Sequence, residues 1–153
     1  MKATWILVAD ACGARVFETA DSGRILHFLR RFTHVESHAM EAQLASDKRG
    51  SAGSSEHRGA STMEPHIARK EIEADNFAHH LADHLRISSL RRQFESLVLV
   101  APPHFLGLIR AALTSAICGL VIASVPKELV YMNTQFIRQE LATAVWPSRS
   151  VAS

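Results

Sequence analysis

"ESLVLVAPPHFLGLIRAAL", residues 95–113, decides the architecture. Its opening, "ESLVLVA", is a nearly continuous apolar run of strand length, the pattern of a strand covered on both faces. Two prolines stop it, because proline brings no ladder N–H and fixes φ. From His104 onward the period changes. Phe105, Ile109, Ala112 and Leu113 recur on one helical stripe through "HFLGLIRAALTSAI", and Gly119 closes that helix. "LVIASV" at 120–125 is a further short strand. "PKELVYMNTQFIRQELATAV" opens with Pro126 and repeats Leu129, Met132, Phe136, Leu141 and Val145 as a last helix. Strands alternating with helices predict parallel βαβ crossovers, with helices covering the sheet.

Upstream of this half the signals are those of hairpins. "ATWILVAD" (3–10) is rich in strand formers, "ACG" follows as a turn, and "ARVFETA" (14–20) is a second strand. "DSG" at 21–23 is another reversal, since aspartate and glycine tolerate the dihedrals of a tight turn. "RILHFLRRFTH" (24–34) alternates imperfectly, with Ile25, His27 and Leu29 on one side and Leu26, Phe28 and Arg30 on the other. These strands form an antiparallel meander.

Between the halves stand a short helix around "ESHAMEAQLA" (36–45), a polar loop, and a long helix. "EPHIARKEIEADNFAHHLADHLRISSLRRQ" (64–93) starts at Pro65 and carries Ala74, Phe77, Ala78, Leu81 and Leu85 on one face. The expected order is βββ(α)αβαβα. It describes a single α/β domain over 1–146, with a flexible Gly/Ser-rich loop at 46–63 and a frayed tail at 147–153. Its mixed sheet begins as a meander and continues as βαβ-type units.

Composition supports one soluble globular domain. The chain has 153 residues, 47% hydrophobic and 21% charged, enough for one core and too few for two comfortable ones. A formal charge of +2 leaves any nucleic-acid affinity to a local basic patch. Cys12 and Cys118 form no CxxC pair, which points to a reduced cytoplasmic protein without a zinc ribbon. The apolar run near the N-terminus is broken at Asp10 and followed by Arg15, unlike a secretory leader. No run is long enough for membrane insertion.

The loop "SDKRGSAGSSEHRGAS" (46–61) is the first candidate site. Backbone N–H groups freed by Gly50, Gly53 and Gly59, with the positive charge of Lys48, Arg49, His57 and Arg58, have the chemistry to follow a phosphate backbone. Asp47 and Glu56 cancel part of that charge, as in an ordinary solvated loop. Arg30 and Arg31 on the third strand, with Arg86, Arg91 and Arg92 at the end of the long helix, extend a basic surface. Alternatively, the helix-end arginines simply complement the helix dipole.

Other constellations are thinner. His80 and His84 share a helix face at a spacing zinc sites use, but no third ligand is identifiable. They read as exposed helix histidines, with His79 turned away. Cys12 has no histidine tied to it, and no serine occupies a GxSxG elbow. Asp10, His104 and Lys127 each follow a strand on the edge where open α/β sheets take small anions, which makes them a possible ligand edge. Against that, no glycine-rich phosphate turn accompanies them, and Asp10 also suits a turn cap.

"WILVADACGARVFE", "LVLVAPPHFLGLIRAAL" and the polar loop before "EPH" together resemble the bacterial host attachment proteins, over nearly the whole chain. That family in turn is similar to the central domain of archaeal and eukaryotic class-1 release factors. There, strand hairpins lead into a glycine-rich loop and a long helix. The resemblance implies an α/β fold of the ribonuclease-H-like kind and a partner such as the ribosome or structured RNA. Release factors carry Gly-Gly-Gln in that loop; this chain has no Gly-Gly-Gln anywhere, so peptidyl-tRNA hydrolysis is not implied. A nuclease of this fold needs several converging carboxylates, and only Asp10 and Glu128 stand near the strand ends.

The expectation is therefore a non-catalytic binding protein with no metal and no cofactor, contacting ribosome or structured RNA through the loop. A protein-interaction or regulatory role in attachment to host cells is the alternative. A small hydrolase built on Asp10, His104 or Lys127 is a third reading.

Overall fold

The computed structural model describes residues 3–34 and 63–147, with backbone alone for residues 63–66. The helix expected at 36–45, the loop at 46–61 and the end of the tail lie outside the described residues. The strands are β1 (Thr4–Ala9), β2 (Gly13–Thr19), β3 (His27–Thr33), β4 (Ser96–Val100) and β5 (Val121–Val125). The helices are α1 (Met63–Leu90), α2 (Pro103–Ala112), α3 (Ser115–Cys118) and α4 (Thr134–Ala144).

The sheet has the order β3-β2-β1-β4-β5. β1 pairs antiparallel with β2 and β2 with β3, whereas β1, β4 and β5 run parallel. The meander and the βαβ half thus join at β1, which sits at the centre. This is the expected mixed α/β sheet. Its central strands read as unbroken apolar runs because both faces are covered.

Trp5, Leu7, Ala9, Val16, Leu97 and Leu99 face α1 and α2, against Phe77, Leu81, Leu85, Phe105 and Ile109. Ile6, Val8, Phe17, Val98 and Val100 form the other core, with Ile137 and Leu141 of α4. The whole expected stripe of α1, from Ala74 to Leu85, is buried. Each fully buried Leu or Phe side chain adds roughly 1.5–3 kcal/mol of transfer free energy, so this face holds the long helix to the sheet.

The structure departs from the sequence pattern in specific places. β3 carries a bulge. Arg30 pairs across from Val16 and Phe28 from Phe17, so Leu29 is the extra residue. The alternation therefore breaks, and Phe28 and Arg30, expected on one side, part to opposite faces. Phe28 meets Phe17 edge-on on one face, while the Arg30 guanidinium lies over the Phe32 ring on the other.

The helix expected at 104–117 is two helices. Leu113 is extended, and Thr114 caps α3 by accepting from the Ile117 N–H at 3.3 Å. Likewise the last helix starts at Thr134 and not at Pro126, because Asn133 caps it, accepting from the Phe136 N–H at 2.8 Å. Leu129 and Val130 are buried from the preceding loop, and Met132 and Phe136 are exposed. At the end of the chain, Trp146 packs on the α4-side core, its ring against Gly23.

Candidate functional site

The parallel strands β1, β4 and β5 end on one edge, and Asp10, His104 and Lys127 all follow those ends. Their side chains go to separate partners. Asp10 Oδ1 accepts from the N–H groups of Cys12 at 2.8 Å and Gly13 at 2.9 Å, closing the turn into β2. His104 Nε2 meets Glu71 of α1 at 3.2 Å. Lys127 lies in the loop before α4, and its Nζ donates to Glu140 at 2.7 Å. The edge exists; the three side chains do not converge.

What joins Asp10 is Tyr131, whose hydroxyl donates to Oδ1 at 3.2 Å. Partial burial of the hydroxyl end, then the Asp10 carboxylate, push its pKa up to about 12. Cys12 lies beside them in the turn, and burial followed by the charges of Asp10 and Glu128 pushes its thiol up, with Lys70 opposing. Beside the Asp10 carboxylate, the Tyr131 hydroxyl and the Cys12 thiol therefore keep their protons at neutral pH, the reverse of an activated thiolate. His34 closes its floor. It donates from its backbone N–H to Cys12 at 3.0 Å and from Nδ1 to the Ala11 carbonyl at 2.9 Å, and it stacks on Phe77.

The histidines of α1 are also placed by packing. His84 is half-buried, stacked on Trp5 and edge-on to Phe32, which His80 meets as well. The reading of His84 as an exposed helix histidine is thus corrected: the spacing serves an aromatic cluster. His79 turns away and bonds the Asp75 carbonyl at 2.9 Å. Among the described residues no group of three or more His, Cys, Asp or Glu is disposed to hold a metal ion.

The arginines divide into engaged and unengaged groups. Arg86 pairs with Asp83 at 2.8 Å, and Arg110 donates to Ser124 at 2.6 Å. Arg15 donates to the Met132 carbonyl. By contrast, Arg30, Arg31, Arg91 and Arg92 are exposed, and among the described residues no carboxylate lies within ion-pair distance of them. Arg91 and Arg92 lie past the end of α1 and not in its last turn. Arg92 occupies the left-handed region at φ 58°, where Arg92 N–H bonds the Ser89 carbonyl and Gln93 N–H bonds that of Ser88. This is a Schellman closure, with arginine where glycine is usual.

Lys48, Arg49, Gly50, Gly53, His57, Arg58 and Gly59 lie outside the described residues. Tyr131 and the stack of Trp5 on His84 are what sequence reasoning missed. A signal existed for Tyr131, since Asn133 marks a helix start and so leaves the sole tyrosine of the chain in a loop. Among the described residues no helix is long and apolar enough to cross a membrane.

Fold and site define a small α/β protein with a mixed five-stranded sheet, whose edge strand β3 exposes Arg30 and Arg31 with no carboxylate partner among the described residues. The chain belongs to the family described as "Protein required for attachment to host cells", whose model matches residues 5–141. It is also similar to the uncharacterized protein RP470 of Rickettsia prowazekii (strain Madrid E), 30% identical over 95 residues. That match covers 61% of this chain and 63% of the relative's length.

Proposed function

We propose that this member of the host-attachment family is a non-catalytic binding protein that works in the cytoplasm by contacting structured RNA, the ribosome foremost. The observation that carries the reading is a set of exposed arginines, Arg30, Arg31, Arg91 and Arg92, with no carboxylate partner among the described residues. Cations held without carboxylate partners are the form in which a surface meets phosphates, because contact then releases counterions without first breaking a salt bridge. The basic loop residues Lys48, Arg49 and Arg58 continue that charge along the sequence. The likeness to the central domain of release factors supports the same partner, with contact and not hydrolysis as the activity.

The test is co-sedimentation with ribosomes at low and moderate salt. Wild type is expected in the ribosomal fractions at low salt and released as salt rises. A variant with Lys48, Arg49 and Arg58 changed to glutamate is expected to stay at the top. So is one carrying Arg31→Glu and Arg92→Glu, and neutralising those two lowers the salt slope by about two. If wild type also stays at the top at low salt, the RNA reading falls. A protein contact serving host attachment, through exposed Ile25 and Phe28 beside the edge strand, then takes its place.

A further inference from the structure

The bulge in β3 and the C-terminal half of α1 enclose a cleft of about 670 Å³, within the range of small-ligand sites. Leu29, the bulge residue, and Ile87 of α1 both line it while remaining 42% and 37% exposed. Val16 and Trp5 complete an apolar floor. Trp5 is buried at the base of the cleft, fixed by stacking on Phe94 at 4.8 Å and on His84 at 5.9 Å.

The cleft carries two guanidiniums against one carboxylate, Glu18, and so has a net positive charge. Arg30 and Arg91 line it, and neither has a carboxylate partner among the described residues. The Arg30 guanidinium is set in place over the Phe32 ring at 4.6 Å, so little side-chain freedom is left to lose on binding. The acid present, Glu18, is already engaged, accepting from Trp5 Nε1 at 3.3 Å. His84 is neutral at neutral pH, held below its ordinary value by burial, then by Arg30 and His80.

We propose that this cleft binds a small organic anion with a flat apolar body, which lies between Leu29 and Ile87 with the edge of Trp5 at its base and its charged end held by Arg30 and Arg91. Apolar surface provides the contact area, and paired guanidiniums select a carboxylate or phosphate over a neutral analogue. A nucleotide and an aromatic carboxylate share this chemistry. The site does not depend on ribosome contact, which is tested through Arg31, Arg92 and the loop; among the described residues, neither Arg31 nor Arg92 lines the cleft.

The full chain, labelled with nitrogen-15, reports binding through its indole N–H signals. Trp5 lies in the cleft, and Trp146, on the opposite core, serves as the internal control. The probes are 2-naphthoate, adenosine monophosphate and the neutral 2-naphthalenemethanol. At least one anion is expected to shift the Trp5 signal saturably at submillimolar concentration while Trp146 stays still. The neutral probe binds at least tenfold more weakly. Arg91→Gln and Arg30→Gln each weaken the anion at least tenfold, and an unmoved Trp146 signal certifies their fold. Tighter binding of the monophosphate assigns the site to nucleotides, and tighter binding of naphthoate to aromatic carboxylates. The proposal is overturned if neither anion moves Trp5 at millimolar concentration. Equal binding of the neutral probe, or indifference to both arginine variants, overturns it as well.

Discussion

Tyr131 and Asp10, 121 residues apart in sequence, share a hydrogen bond of 3.2 Å on an oxygen that already closes the β1–β2 turn. One carboxylate oxygen thus organises the turn backbone and tethers the loop before α4. Asp10→Ala removes the acceptor from the Cys12 and Gly13 N–H groups as well as from Tyr131. It is expected to destabilise the fold by about 1–3 kcal/mol, whereas Tyr131→Phe costs less, about 1 kcal/mol, since the turn survives. Urea denaturation of both variants checks the order.

The same pair sets an alkaline limit. Tyr131 titrates at about 12 in the fold, above its ordinary value of 10.0. The folded state therefore keeps a proton that the unfolded chain releases, and the associated stability is intact below pH 10 and declines from 10 toward 12. Because Tyr131 is the sole tyrosine, absorbance at the phenolate band reads its midpoint directly. Asp10→Asn is expected to move that midpoint back toward 10.

On the acid side the group to watch is His84. Its pKa lies below the ordinary 6.5, because burial and then the charges of Arg30 and His80 disfavour its cation. Below pH 6.5 the unfolded chain binds the proton that the folded one refuses, so stability is full above that pH and falls as the solution is acidified. His84→Phe, which keeps the stack with Trp5, is expected to flatten this fall. Denaturation midpoints at pH 5 and pH 7 measure it.

Arg92 and Gly23 hold left-handed backbone with opposite consequences for substitution. Arg92→Gly relieves a β-carbon penalty and is expected to stabilise the chain by about 1 kcal/mol. If the arginine serves a phosphate, the same variant loses affinity as it gains stability.

Gly23→Ala is expected to cost about 1–3 kcal/mol. It meets φ +84° and would set a β-carbon 2.6 Å from the Trp146 ring. A thermal melt separates these two signs.

Local pattern found what local physics controls. The α1 stripe from Ala74 to Leu85 and the runs in β1 and β4 were legible because the helical period and two-sided burial leave marks along the chain. The hairpin at Asp10 was legible as a turn cap for the same reason. The start of α4 was not. Leu129 sits at a helical spacing from Phe136 but is buried from a loop, so only the Asn133 cap distinguishes the two. The candidate edge was legible as a place and not as a site, since where His104 and Lys127 reach depends on Glu71 and Glu140 of other elements. Nor could alternation foresee Leu29, because period-2 reasoning assumes an unbroken register.

That single unpaired residue has a reach beyond its own side chain. His27 and Phe28 pair in plain register with Glu18 and Phe17, and Arg30 to Thr33 with Val16 to Gly13, so Leu29 alone stands outside the ladder. Deleting Leu29 would set Phe28 and Arg30 side by side opposite Phe17 and Val16, restoring plain alternation with each on the face it holds now, and would take away the apolar side chain that β3 offers to the cleft. A relative without this residue would keep the faces of its sheet and lose the local bend and the protruding leucine, while the core strands β1 and β4 stayed as they are. A change of one residue in length is thus a route by which this fold gains or loses a cleft wall while its core stays untouched.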